Sequence, residues 1–234
     1  MGAGYPNAQT WSANYIYTHA QAYLALPERV QLVGFVEKDY NLDTDGDGRY
    51  DAIDEDLMAR ADYTGEYNVP CYVRLKDAIE ELRPDIVSIC TPPESHYSIY
   101  NQCLNNSIRG IWCEKPLNWE PTTGYTAIPT QVNYIRRADP LHQWFQGAAG
   151  MCQSHLWVRA KKDIHTVCHF TDLARFWGIR KEKLHYKTYE GPCCYRLSVT
   201  DKKHLDFPLG GIPDGSPFMV NMLGNLLDTV EGKG

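Results

Sequence analysis

The stretch Asp85–Leu117, DIVSICTPPESHYSIYNQCLNNSIRGIWCEKPL, decides how this chain folds. DIVSIC reads as a short apolar strand broken by Pro92 and Pro93, and SHYSIYNQCLNNS reads as a helix. IRGIWCEKP is a second apolar strand that ends abruptly on Glu114, Lys115 and Pro116. Nearly continuous apolar strands separated by a helix point to a parallel sheet covered on both faces, with ligands held at the carboxyl ends of its strands. The TPPESH and EKP runs both fall at such ends.

The same alternation extends toward the N-terminus. YIYTHAQAYLAL (Tyr15–Leu26) carries apolar residues at helical spacing, and VQLVGFVEKD (Val30–Asp39) is a β-branched run ending on acids. RLKDAIEELRP is a helix stopped by Pro84. After Gln131 the pattern loosens into VNYIRRADP, a helical HTVCHFTDLARFWG, and aromatic-rich segments punctuated by Gly and Pro. The expected organisation is a doubly wound α/β domain over residues 1–135 and a smaller α+β domain over 136–234.

Composition excludes several classes of function. The chain has 234 residues, 43% hydrophobic and 22% charged, with a formal net charge of −6 and a pI near 5.7. An acidic surface without a Lys/Arg run does not suit a phosphate backbone, so nucleic acid is not an expected partner. No stretch approaches the ~18 apolar residues of a membrane span, and MGAGYPNAQ has neither the basic start nor the apolar core of a signal peptide. The cytoplasm is the expected location. Cys71, Cys90, Cys103, Cys113, Cys152 and Cys168 are scattered, mostly inside apolar runs, with no CxxC pair, and only Cys193 and Cys194 adjoin. Ordinary reduced thiols are expected.

Together, GAG near the start, LVGFVEKD, DIVSICTPPESHY, WCEKPL and HFTDLARFWG resemble the Gfo/Idh/MocA oxidoreductases in order and spacing, over roughly residues 1–180. The resemblance implies a Rossmann domain, then an α/β domain whose open sheet often forms an oligomer interface. The implied reaction is hydride transfer between a nicotinamide and a sugar, polyol or nucleotide-sugar hydroxyl. A homo-oligomer is expected on the same ground. NAD is the implied cofactor, with NADP not excluded, because Glu37 ends a strand where an acid would meet the adenosine ribose. Gly2 and Gly4 would form the phosphate turn, with Asn7 where a third glycine usually stands. Thr91, Pro92 and His96 would line the nicotinamide side, with Glu114 close by. Lys115 would hydrogen-bond the reacting oxygen, and the motif implies a cis bond before Pro116. His169 would take the hydroxyl proton and Asp172 would orient it, since His165, His169 and Asp172 fall at i, i+4 and i+7 on one helix face. His165 departs from the acid or asparagine of many relatives, and with Arg136 and Arg137 it is a candidate substrate contact.

Two features pull away from this reading. The strand that ordinarily precedes a glycine turn is missing from a sequence that starts at Met1, and NWEPTTGYTAIPT stands where a full helix is usual. The competing expectation is therefore a degenerate relative that binds a sugar or a protein without turnover. DTDGDGRYDAID sets Asp43, Asp45, Asp47, Asp51 and Asp54 at EF-hand positions around Gly48. Its last position is Asp rather than the longer Glu, and no clear helix pair flanks it. A solvated acidic loop is expected there rather than a structural calcium site, and no metal is needed for the reaction.

Overall fold

The computed structural model describes residues 18–37, 67–116, 128–138, 142–144, 146, 155–160, 164–189, 194–200, 203–207 and 218–233. Gly2, Gly4, Asn7 and the aspartates 43, 45, 47, 51 and 54 lie outside them. The chain divides into two units, one holding the described residues from 18 to 131 with 223 to 233, the other those from 132 to 222.

In the first unit, helix α1 (His19–Leu24) starts where Thr18 and Gln21 cap each other reciprocally: the Thr18 hydroxyl accepts from the Gln21 N–H, and the Gln21 side chain accepts from the Thr18 N–H. The helix buries His19, Ala20, Ala22 and Tyr23. Strand β1 (Phe35–Val36) pairs in parallel with β2 (Cys71–Tyr72). The ladder is much shorter than the apolar run suggests, because β2 offers only two residues to pair with. At Gly34 the chain passes tightly over its neighbours: a Cβ there would lie 2.6 Å from Leu82 Cδ1 and 3.1 Å from the Pro70 carbonyl.

Helix α2 (Leu75–Leu82) ends as RLKDAIEELRP predicts. Arg83 turns into the left-handed region at φ 47°, its N–H closes on the Ile79 carbonyl, and Pro84 prevents continuation. Strand β3 (Ile86–Ile89) then runs parallel to β4 (Gly110–Cys113), in register from Ile86 opposite Gly110 to Ile89 opposite Cys113. Between them lies helix α3 (Pro93–Leu104), which starts on a proline because the first helical turn has no use for that N–H. All four residues of β4 are buried, and β5 (Thr130–Val132) flanks it. Ile79, Ile89, Cys103, Ile108, Ile111 and Cys113 form the core between sheet and helices.

The second unit carries a mixed four-stranded sheet in the order β7 (Leu184–Thr188), β6 (His155–Ala160), β8 (Cys194–Thr200), β9 (Lys203–Phe207). β6 pairs in parallel with β7 and antiparallel with β8, and β8 pairs antiparallel with β9. Leu156, Val158 and Ala160 alternate inward along β6, against Phe170, Leu173, Ala174 and Trp177 from helix α4 (Ile164–Phe176) and its end. This is the helix that HTVCHFTDLARFWG predicts.

The last helix, α5 (Phe218–Val230), crosses from one unit to the other at Leu223. Its later turns lie against β4, where a Cβ on Gly110 would meet Val230 Cγ2 at 2.8 Å and Leu226 Cδ1 at 3.4 Å. Arg29 holds Asp228 at 2.8 Å and Glu231 at 3.1 Å, and Arg109 donates to the Val230 carbonyl.

Candidate functional site

The carboxyl ends of β3 and β4 form one braced platform. The Glu114 N–H donates to the Ile89 carbonyl at 2.7 Å, extending the ladder one step beyond the strands. His96, on the first turns of α3, has no exposed surface. Its Nε2 lies 2.7 Å from the Thr91 carbonyl and its Nδ1 3.2 Å from the Pro116 carbonyl. The imidazole therefore ties the loop after β3 to the loop after β4. The ring expected on the nicotinamide side is thus held by both of its nitrogens at the ends of the two strands. Ser95 donates to the Thr91 hydroxyl at 2.7 Å, Pro92 is exposed, and Thr91, Glu114 and Lys115 are partly buried. The Lys115–Pro116 bond is cis, and Pro116 is buried.

A polar cluster that the sequence reading passed over lies behind the platform. His19 stacks on Trp112 with centroids 3.7 Å apart. Its Nδ1 is 3.0 Å from Ser88 Oγ and its Nε2 is 3.2 Å from Glu114 Oε1. Tyr23 reaches Ser88 Oγ at 2.6 Å and meets Trp112 edge-on. Signals for this were present in the sequence: His19 and Tyr23 stand at i, i+4 in a helix otherwise lined with alanine, and Ser88 is the one hydroxyl inside the apolar IVSI. Burial pushes the Tyr23 phenol up and the Cys103 and Cys113 thiols up to about 12, so these sulfurs are inert packing groups.

In the second unit, α4 carries His169 and Asp172 one turn apart. His169 is partly buried and lies edge-on to Tyr134 at 6.1 Å. Asp172 is 7% exposed, and both its oxygens accept from Arg137, from Nε at 2.8 Å and from Nη2 at 2.5 Å. Burial raises the Asp172 carboxyl against the opposing pull of Arg137. Arg137 also lies over the rings of Tyr134 and Phe176. Arg136 is buried, its guanidinium 4.8 Å from the centre of the Phe170 ring, a packing position rather than a surface one. The backbone of His165 lies in α4, and its side chain is outside the described residues.

A dinucleotide fits what is described of the first unit. Glu37 stands at the carboxyl end of the parallel pair β1–β2, its N–H donating to the Tyr72 carbonyl, and a carboxylate is the acceptor that two ribose hydroxyls require. Among the described residues no group of three or more His, Cys, Asp or Glu could hold a metal ion, and no helix is long and apolar enough to cross a membrane.

Residues 13–127 match the model of an oxidoreductase family with an NAD-binding Rossmann fold. Comparison with curated proteins finds no match. Among solved structures, a myo-inositol dehydrogenase from Corynebacterium glutamicum superposes with a TM-score of 0.66 at 12% identity, over 92% of this chain and 85% of that one. The WlbA dehydrogenase from Chromobacterium violaceum, solved with NADH and UDP-GlcNAcA, gives 0.67 at 13% identity, over 92% and 83%. Myo-inositol 2-dehydrogenase from Lactobacillus plantarum gives 0.59 at 14%, over 92% and 85%. At such identities the likeness establishes the shared fold.

Proposed function

We propose that the chain, whose residues 13–127 match an oxidoreductase family with an NAD-binding Rossmann fold, is a Gfo/Idh/MocA oxidoreductase that moves a hydride between NAD and a hydroxyl of a sugar, polyol or nucleotide sugar. The observation that carries the reading is the braced platform, which holds Lys115 at the carboxyl end of a buried parallel strand, where this class of sheet receives its ligands. The substrate class is supported by neighbours of the same fold that are named as a myo-inositol dehydrogenase or were solved with UDP-GlcNAcA.

Bound NAD supplies the acceptor for the hydride that leaves the alcohol carbon. His169 takes the hydroxyl proton, so that C–H and O–H bonds are lost together and a carbonyl forms. Lys115 donates a hydrogen bond to that oxygen as it changes from alcohol to carbonyl. Asp172, fixed by Arg137 one turn beyond His169, biases the imidazole's orientation. Glu37 accepts from the adenosine ribose, while Thr91 and Pro92 border the nicotinamide. Arg137, which keeps exposed surface, and His165 contact the substrate. The expected assembly is a homo-oligomer.

Calorimetry with NAD and with NADP, followed by nicotinamide absorbance with a panel of polyols and UDP-sugars, tests the proposal. Micromolar to millimolar dinucleotide binding and substrate-dependent reduction are expected. A protein with no measurable affinity for either dinucleotide is not this enzyme, and a non-catalytic binding role then takes precedence.

A further inference from the structure

The cluster at His19, Tyr23, Ser88, Trp112 and Glu114 draws on three elements, with bonds spanning 65, 69 and 95 residues of sequence, and the proposed reaction uses none of its members directly. Donor and acceptor chemistry fixes its direction. An ionised carboxylate only accepts, so Glu114 Oε1 requires a proton on His19 Nε2. In the neutral ring Nδ1 then carries the lone pair and takes the single proton of Ser88 Oγ. Having given that proton, Ser88 can only accept from Tyr23, which burial keeps protonated. Every bond therefore points the same way, from Tyr23 through Ser88 and His19 to Glu114, an arrangement in which each bond polarises the next. Stacking on Trp112 at 3.7 Å prevents the imidazole from swinging out of line. The chain ends on the backbone: Glu114 Oε2 accepts from the N–H of Lys115 at 3.3 Å.

We infer that His19 is a positioning residue for Lys115, acting by clamping the Glu114 carboxylate between its own Nε2 and the Lys115 N–H. The inference rests on the proposed role of Lys115. It adds a residue of α1 that no part of the reaction touches and a reason for an acid to stand beside the lysine. Glu114 is thereby the acceptor that joins α1 to the backbone of Lys115 at the strand's end. His96 fixes the same loop from its other side, through the Pro116 carbonyl, so Lys115 is held from both flanks.

His19→Phe keeps the stack on Trp112 and removes both ring nitrogens, whereas His19→Gln retains a side-chain donor and acceptor. In His19→Phe, hydrogen exchange at the Lys115 amide should quicken by roughly 10-fold, and kcat should fall by roughly 100-fold while the Kd for NAD stays within about 2-fold. His19→Gln should recover a large part of both. Unchanged Lys115 exchange in a folded His19→Phe protein overturns the inference. Because the exchange measurement needs no substrate, faster exchange in a protein that turns over no alcohol supports the clamp and overturns only the proposed reaction. Should His19→Phe fail to fold, the imidazole nitrogen resonances of the unmodified protein decide: protonated Nε2 with accepting Nδ1 supports the chain of donors, and the opposite tautomer overturns it.

Discussion

Replacing Arg137 with Ala would remove the partner of both Asp172 oxygens and leave a carboxylate whose side chain is only 8% exposed. Removing one member of a fully buried ion pair costs about 3–5 kcal/mol. Arg137 is itself 43% exposed, so water enters the vacated side and screens the remaining charge, which brings the expected loss to about 2 kcal/mol. That corresponds to a fall in melting temperature of roughly 4–8 °C. The loss depends on pH in a direction that the geometry dictates. Burial already holds the folded Asp172 carboxyl above its ordinary value, against the pull of Arg137. Such a group binds more protons folded than unfolded, so its contribution is most favourable in acid, below both values, and declines as pH rises through the window between the unfolded and folded ones. Without Arg137 the folded value rises further and the window extends upward. The variant therefore loses most near neutrality, and the deficit narrows in acid. Urea melts at about pH 5 and about pH 7.5 measure this, and Asp172→Asn in the Arg137→Ala background should recover most of the neutral-pH loss. A loss below about 0.5 kcal/mol, or one equal at the two pH values, would refute the reasoning.

Lys115→Ala should lower kcat by roughly 100-fold or more and leave NAD affinity within about 2-fold, since the lost hydrogen bond matters in the transition state; steady-state kinetics and calorimetry check both, and surviving turnover removes the lysine from the reaction. Glu37→Ala should weaken NAD by roughly 10-fold and NADP by less, so equal losses for the two dinucleotides would place the acid elsewhere. Gly110→Ala puts a methyl group 2.8 Å from Val230 Cγ2 and should cost about 1–3 kcal/mol in a urea melt; an unchanged midpoint would mean that α5 does not press on β4. Cys103 and Cys113, with thiols raised to about 12, should resist iodoacetamide in the native protein near neutral pH and react in urea, which peptide mass spectrometry would show; fast native labelling contradicts their burial.

Local chemistry made much of the first unit legible in the sequence. Pro84, Pro92 and Pro93 punctuate it because a ring without an N–H cannot continue a helix or a central strand. The apolar IVSI and GIWC runs become strands because both their faces are covered. The helix carrying His169 and Asp172 was legible through its 3.6-residue spacing. The four-stranded sheet of the second unit was not: its order β7-β6-β8-β9 depends on pairings between runs such as CYRLSVT and KHLDF, which carry no mark of their neighbours. Only the tertiary structure decided which polar groups meet. Residue spacing along α4 placed Asp172 one turn from His169, but only packing reveals that Arg137, 35 residues away, is the donor to both of its oxygens. Likewise, nothing in TPPESH announces that His96 spans the Thr91 and Pro116 carbonyls and so braces two loops. His19 and Glu114, 95 positions apart, became partners because α1 packs over β3 and β4. Sequence periodicity specifies which face of an element is apolar. The identity of the group that fills a buried polar contact is set by long-range packing, where each donor must find an acceptor or bear the cost of desolvation.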